Sequence, residues 1–431
     1  MTKRMLLAIL LLIVFALPAG CQKQGGEPTQ PTAPAPTILP TPTPEPSPTP
    51  TPDPVGEALA GMTVEQKAAQ LLVAGIEGTE PGEDAVQAVQ GYQVGGVILF
   101  GRNVESAEQL AALTNGLKEL NGDYTPLFLC VDQEGGRVDR MPPEVSRTPS
   151  AWSVGQTLDT EGVGVSYGEL LAAECAAFGF NMDFAPSLDI WSNPDNTVIG
   201  DRAFGNDWEW TAFFGMSAVE GMEKQGTVIP VVKHFPGHGD TAVDSHTALP
   251  VVDKTLEDLW QSELVPFDMV LSGQFWGEPV MEPTPAVMVA HILLSQIDPD
   301  NPASLSPEVV TGLLREEMGY EGVVCTDDLT MGAISNTYGM GEAAVLAVEA
   351  GCDLLLVCHG ADNLAEAHAA LVEAVDSGCI PEERLDESVY RVLSLKTVYG
   401  LSNAPVEAPD IEALNDRIAA LERSIEADTS Q

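Results

Sequence analysis

The sequence predicts an α/β domain folded as a (β/α)8 TIM-like barrel, and three observations carry the prediction. Eight short apolar runs rich in β-branched residues recur along the body of the chain, alanine-rich helical stretches separate several of them, and charged residues stand at the C-terminal ends of four. Strands alternating with helices imply a parallel sheet. Eight such alternations in this length fit a closed barrel better than an open doubly wound sheet, and no GxGxxG-type phosphate loop follows an early run.

The runs are QLLVAGI around Leu72, GGVILF around Ile98, PLFLCVD around Leu129, MDFAPSLDI around Phe184, VIPVVKHF around Val231, PAVMVAHI around Val287, GVVCTDD around Val324 and CDLLLVC around Leu355. Helices are expected over Ser106–Leu120, Gly162–Phe178 and Met340–Ala350, and Thr63 with Gln66 forms a capping box that starts another. Asp132 follows LFLCV, Lys233 and His234 follow VIPVV, His291 follows VMVA and Asp327 follows VVCT. Barrel enzymes build their sites at that face, so the four strand ends predict one shared pocket.

The N-terminus adds a different kind of signal. Lys3 and Arg4 precede an apolar run from Met5 to Leu17, and a small-residue stretch ends at Cys21. Residues 1–21 read as a secretory signal too short to span a bilayer. Ala19-Gly20-Cys21 resembles a bacterial lipobox, which makes Cys21 the expected lipidation site and the bacterial cell surface the expected location; an ordinary signal peptide with Cys21 left free is the alternative. Residues 22–54 form a linker: from Glu27 to Pro54 the chain holds 12 of its 33 prolines and almost nothing to bury. In polyproline II form these residues reach up to about 90 Å. Residues 55–401 then suffice for one large domain, and 402–431 form an acidic tail.

Lys and Arg total 19 against 64 Asp and Glu, a net charge of −45, which excludes nucleic acid or anionic lipid as an electrostatic partner. Besides Cys21 there are six cysteines, three of them in apolar runs (Cys130, Cys325, Cys358) and none in a CxxC pair. Buried free thiols are expected, with a Cys352–Cys379 disulfide as the alternative.

The segment KHFPGHGDTAVDSH, Lys233 to His246, bears the most chemistry. His234 and His238 have the i, i+4 spacing of a zinc helix, but Phe235-Pro236-Gly237 cannot continue a helix. A strand ending at His234 and a glycine-rich loop that sets Asp244 beside His246 remain, an arrangement suited to proton transfer. A polar loop with solvated histidines accounts for DSH alone, not for the whole string.

Together with VDQEGGRVDR (Val131 to Arg140), VIGDRAFG (Val198 to Gly205), PASLS (Pro302 to Ser306) and GVVCTDDLTMGAI (Gly322 to Ile334), this segment resembles glycoside hydrolase family 3 in its β-N-acetylglucosaminidase branch. The resemblance runs from about Met62 to Leu401. It implies retaining hydrolysis of terminal β-linked N-acetylglucosamine or N-acetylhexosamine, with Asp327 as nucleophile, His246 as acid/base and Asp244 as its partner. It further implies that Asp132, Arg140, Arg202, Lys233 and His234 hold the sugar, with His291 near the same pocket and Asp328 supporting the loop. No metal or organic cofactor is implied. Retaining glycosidases normally use two carboxylates; a histidine of unperturbed pKa near 6.5 can instead protonate the leaving oxygen and then deprotonate water. The additional α/β domain of the family's β-glucosidases, source of their glutamate acid/base, is absent from the sequence, whereas DSH is present.

Other readings stay open at this point. A glycoside phosphorylase could use the same dyad, and a lipoprotein could bind cell-wall sugars without cleaving them. The carbohydrate could be a cell-wall fragment in peptidoglycan turnover, a chitin oligomer or a host glycan. The insertion 272–285, with Phe275 and Trp276, is either an aglycone wall or a surface loop. Ile411, Leu414, Ile418, Leu421 and Ile425 form an apolar stripe whose default reading is docking on the barrel of a monomer; self-association through 411–425 is its alternative.

Overall fold

The structure, a computed structural model, describes residues 53–430 apart from 160–161, 242–244, 246–248 and 276. Cys21, the signal segment, most of the linker and Trp276 therefore lie outside the described residues. Eight parallel strands close a barrel: β1 (Leu72–Gly75), β2 (Gly96–Ile98), β3 (Phe128–Val131), β4 (Met182–Asp183), β5 (Ile229–Phe235), β6 (Ala286–Val289), β7 (Val323–Asp328) and β8 (Leu354–Val357). Each of the eight apolar runs supplies one strand. Neighbours in sequence are neighbours in the barrel, and β8 closes on β1 with Ala74 opposite Val357.

Alternation along each strand divides the apolar residues between two cores. Val73, Ile98, Phe128, Cys130, Val231, Met288, Cys325 and Leu356 fill the barrel interior. Their neighbours, among them Leu72, Ala74, Leu129, Val232, Val287, Val324 and Leu355, pack outward under the helices. Burial on both faces explains why the runs read as continuous rather than alternating apolar sequence. The six described cysteines are free; Cys352 is buried and Cys379 exposed, so no bridge joins them. Burial pushes the Cys130, Cys325 and Cys358 thiols well up, which leaves them as small hydrophobes in the barrel.

The helices begin where local sequence dictates. In α1 (Val64–Gln70) Thr63 and Gln66 cap each other reciprocally at 3.3 and 3.0 Å, and Ser106 caps α2 (Ala107–Asn121). Then follow α3 (Val163–Ala177), α4 (Trp208–Glu223), α5 (Met340–Ala350), α6 (Glu382–Val398) and α7 (Ile411–Thr429). The tail helix α7 packs on α3, burying Leu414, Ile418 and Leu421, while Arg417 donates to the Glu169 carbonyl at 2.9 Å. Its apolar stripe thus faces the barrel of its own chain. At the N-terminal end of the barrel Lys396 donates to Gln70 Oε1 (2.9 Å) and the Gly95 carbonyl (2.8 Å) over the Phe128 ring. Burial lowers that ammonium to about 7. The 272–285 insertion forms a small hairpin pairing Gln274–Phe275 with Glu278–Pro279; it precedes β6 and so lies toward this same end, away from the strand C-termini. Among the described residues no helix is long and apolar enough to cross a membrane.

Candidate active site

At the C-terminal ends of the strands lies a cavity of about 220 Å³, lined by Asp132, Glu134, Arg140, Arg202, Lys233, His234, His238, Ser245 and Asp327 among others. Drug-sized sites run from about 300 to 1,000 Å³, so this one is sized for a single small ring. Lys233, 1 % exposed in β5, reaches across the barrel to Asp132 Oδ1 at 2.7 Å and Glu134 Oε1 at 2.5 Å. Arg202, carried by a 3-10 turn at Gly200–Arg202, grips the same Glu134 with Nε and Nη2, both at 2.8 Å. Burial alone would raise the Glu134 carboxyl, but the Arg202 and Lys233 charges hold it far below the usual carboxylate range. The same carboxylates raise Lys233 against the effect of its burial. Of the six pocket residues expected from the sequence, the five assigned to hold the sugar, Asp132, Arg140, Arg202, Lys233 and His234, meet at this cavity.

His234 is oriented from both sides. Its Nδ1 lies 2.5 Å from Asp189 Oδ2, and its Nε2 lies 3.1 Å from Arg202 Nη2. A guanidinium only donates, so Nε2 accepts and Nδ1 carries the proton. Burial would raise Asp189, yet His234 and His238 hold it ionised. Its second oxygen accepts the His238 backbone N–H at 2.6 Å. His238 in turn spends its ring nitrogens on Thr241 Oγ1 (2.8 Å) and Ser245 Oγ (3.2 Å), so neither histidine of the i, i+4 pair directs a free nitrogen toward a shared metal. The loop can turn this tightly because Gly239 packs against backbone: a Cβ there would stand 1.7 Å from the Ile190 carbonyl oxygen.

Asp244 and His246 lie outside the described residues. Ser245 between them lines the cavity, is 2 % exposed, and accepts the Ala333 N–H at 3.0 Å. Ser245 is thereby tied to the helical turn Gly332–Ser335, which follows the strand carrying Asp327.

Asp327, half-buried near the end of β7, accepts the Asp328 N–H at 2.8 Å. Burial opposes its charge, but His291, His234, that N–H and Lys233 hold its carboxyl below the ordinary value. Asp328 turns away to accept from Thr330 N (2.9 Å), Thr330 Oγ1 (2.5 Å) and Cys358 N (3.0 Å), holding the loop. His291, expected near the same pocket, does not line it. It is fully buried behind the cavity, its Nε2 at 2.9 Å from the Asp328 carbonyl and its Nδ1 at 2.7 Å from Ser304 Oγ. With both nitrogens engaged it braces the strand that carries Asp327, and the PASLS segment supplies Ser304 for this.

Three partners escape a reading of single residues. Glu134 follows Asp132 by two positions, and in extended chain i and i+2 share a face; that spacing was the available signal. Asp189 carries no such mark, since its partner His234 is 45 positions away. Glu174, in α3, accepts from Thr148 Oγ1 (2.5 Å) and Gln133 Nε2 (2.8 Å), while Gln133 Oε1 receives the Arg140 N–H at 2.8 Å. The Arg140 side chain itself has its Nε buried without a partner among the described residues.

Burial raises Glu174 to about 8. A raised carboxyl contributes stability that is complete below its unfolded value of 4.5 and is lost as pH climbs through the folded value. Glu174→Gln is therefore expected to gain on the wild type between about pH 4.5 and 8, by a few kcal/mol at about 1.4 kcal/mol per unit. Melting curves of both proteins across this range measure it, and a pH-independent difference would refute it.

A strand-end cavity of one-ring size, walled by fixed charges that can grip hydroxyls and containing an ionised carboxylate, defines a (β/α)8 barrel enzyme of the glycoside hydrolase class. The chain belongs to glycosyl hydrolase family 3: the family profile described as "Glycosyl hydrolase family 3 N terminal domain" matches residues 63–395. It is similar to "Beta-hexosaminidase A" of Pseudoalteromonas piscicida, 33% identical over 341 residues that cover 74% of this chain and 56% of that protein. The chain thus spans little more than half the length of that relative. It is also 38% identical over 293 residues to "Beta-hexosaminidase" of Alkalilimnicola ehrlichii, covering 67% of this chain and 80% of that one. Among solved structures, a glycoside hydrolase family 3 beta-N-acetylglucosaminidase from Paenibacillus sp. matches with TM-score 0.78 and 41% identity over 84% of this chain and 68% of that chain.

Proposed function

We propose that the protein removes terminal, non-reducing β-linked N-acetylglucosamine (or N-acetylhexosamine) from glycans by retaining hydrolysis. The observation that carries this reading is Asp327, its carboxyl held below the ordinary value at a one-ring-sized cavity whose wall is the Asp132–Lys233–Glu134–Arg202 array. The names of the relatives support the sugar. An Asp327 oxygen attacks the anomeric carbon as the bond to the leaving oxygen breaks, and protonated His246, oriented by Asp244, gives that oxygen its proton. Neutral His246 then takes a proton from water as the water oxygen displaces Asp327 from the anomeric carbon. Asp132, Arg140, Arg202, Lys233 and His234 fix the ring hydroxyls and so align attack.

His246→Ala is expected to lose roughly 10²–10⁴-fold in kcat on chitobiose and far less on an activated aryl glycosaminide, whose leaving group needs no proton. Equal losses on both substrates would remove His246 as the acid. Running the aryl substrate with and without phosphate also separates hydrolysis from phosphorolysis, since only the latter yields a sugar 1-phosphate. Release of N-acetylglucosamine from muropeptides versus chitobiose assigns the natural glycan. The lipobox-like segment supports a cell-surface enzyme anchored through Cys21; Cys21→Ser would then leave the protein soluble and unlabelled by fatty acid.

A further inference from the structure

A one-ring cavity leaves the rest of any glycan at its mouth, so whatever recognises the second sugar must be on the rim. One rim feature is built for a ring. Phe100, just beyond β2, and His359, just beyond β8, stack with their planes 20° apart and centroids 5.8 Å apart, and both line the cavity. Phe100 is half-buried, whereas the His359 side chain is 54 % exposed.

The stack is held rigidly from behind. Arg102 lies over the Phe100 ring at 4.6 Å and donates to the Cys358 carbonyl at 2.9 Å, and Asn103 Oδ1 accepts the Phe100 N–H at 2.9 Å. Cys358 N donates to Asp328 Oδ1 at 3.0 Å, and the His359 carbonyl accepts from Asn363 Nδ2 at 2.8 Å. The backbone around His359 is thus pinned, while its imidazole makes no hydrogen bond among the described residues; Asp328 Oδ2 lies 3.9 Å from its Nε2. A pre-positioned ring left 54 % exposed, with no partner on its outer side among the described residues, is a costly thing to keep in order unless something stacks on it.

We propose that the Phe100–His359 stack is a shelf for the second pyranose ring of the substrate, the one on the leaving side of the cleaved bond, whose C–H face packs on the His359 imidazole. His359 is then a specificity-determining residue that favours a sugar aglycone over a small alcohol. The inference rests on the glycosidase reading above.

The test compares chitobiose with methyl N-acetyl-β-glucosaminide, two substrates with alkyl alcohol leaving groups of which only the first has a second ring. His359→Ala is expected to lower kcat/KM on chitobiose roughly three- to tenfold, mainly through KM, from the strength of one ring–ring contact. The methyl glycoside is expected to change less than about twofold, and His359→Phe, which keeps a stacking face, to restore chitobiose to within about twofold. Equal loss on both substrates, no loss on chitobiose, or a Phe variant as poor as the Ala variant each overturns the shelf. Failure of the wild type to release N-acetylglucosamine from either substrate would instead sink the glycosidase reading, and the shelf would fall with it.

Discussion

Asp327→Ala is expected to lower kcat by roughly 10⁵-fold or more on every substrate, activated or not, if the proposed covalent intermediate forms on Asp327. The comparison with His246→Ala is the informative part. Loss of an acid is relieved by a good leaving group, whereas loss of a nucleophile is not. Fold should survive, since Asp327 is half-buried and among the described residues its side chain accepts only the Asp328 N–H. Asp328, which ties β7 to β8 through Cys358 N, remains in place. Added azide is expected to restore turnover of an aryl glycosaminide by attacking from the vacated face, giving the α-glycosyl azide. A variant that retained more than about 1 % of wild-type kcat, far above the residual expected without a nucleophile, would show that Asp327 is not the attacking group.

Much of this architecture is legible in the sequence because it is locally encoded. The strand runs are apolar on both faces, as barrel strands must be, and the Thr63–Gln66 box and Ser106 cap act within four residues. What the sequence hides is long-range pairing. Glu134 becomes central only because Arg202 and Lys233, 68 and 99 positions on, converge on it, and Asp189 matters only through His234 and His238. His291 illustrates the converse. A histidine at a strand end invites a role in the pocket, yet the strand end also needs bracing, and both ring nitrogens are spent on Ser304 and the Asp328 carbonyl. Nothing in residue type separates those two uses.

Glu134→Ala, finally, is expected to damage stability and sugar binding together. It leaves Lys233, 1 % exposed, and Arg202 without the carboxylate that both contact. Removing one partner of a buried ion pair costs about 3–5 kcal/mol, enough to lower the melting temperature by several degrees. Asp132 still accepts from Lys233, so the site does not collapse entirely. Glu134→Gln keeps the shape and one acceptor but not the charge, and separates the two effects. It is expected to fall short of wild type at pH 7, to keep most of that deficit at pH 4 and to close it only in stronger acid, for a reason fixed by sign. The Glu134 carboxyl lies below its unfolded value of 4.5 in the folded protein, so its contribution is present above that value and is lost only as pH drops below it. The deficit of the Gln variant should accordingly be full at pH 7 and shrink in acid, opposite to the trend for Glu174→Gln. If Lys233 and Arg202 grip sugar hydroxyls only because Glu134 holds them, KM at pH 7 should rise by at least tenfold, the worth of one misaligned charged hydrogen bond, with a smaller change in kcat. A Gln variant with unchanged KM and a pH-independent stability deficit would mean that the array is merely a strut.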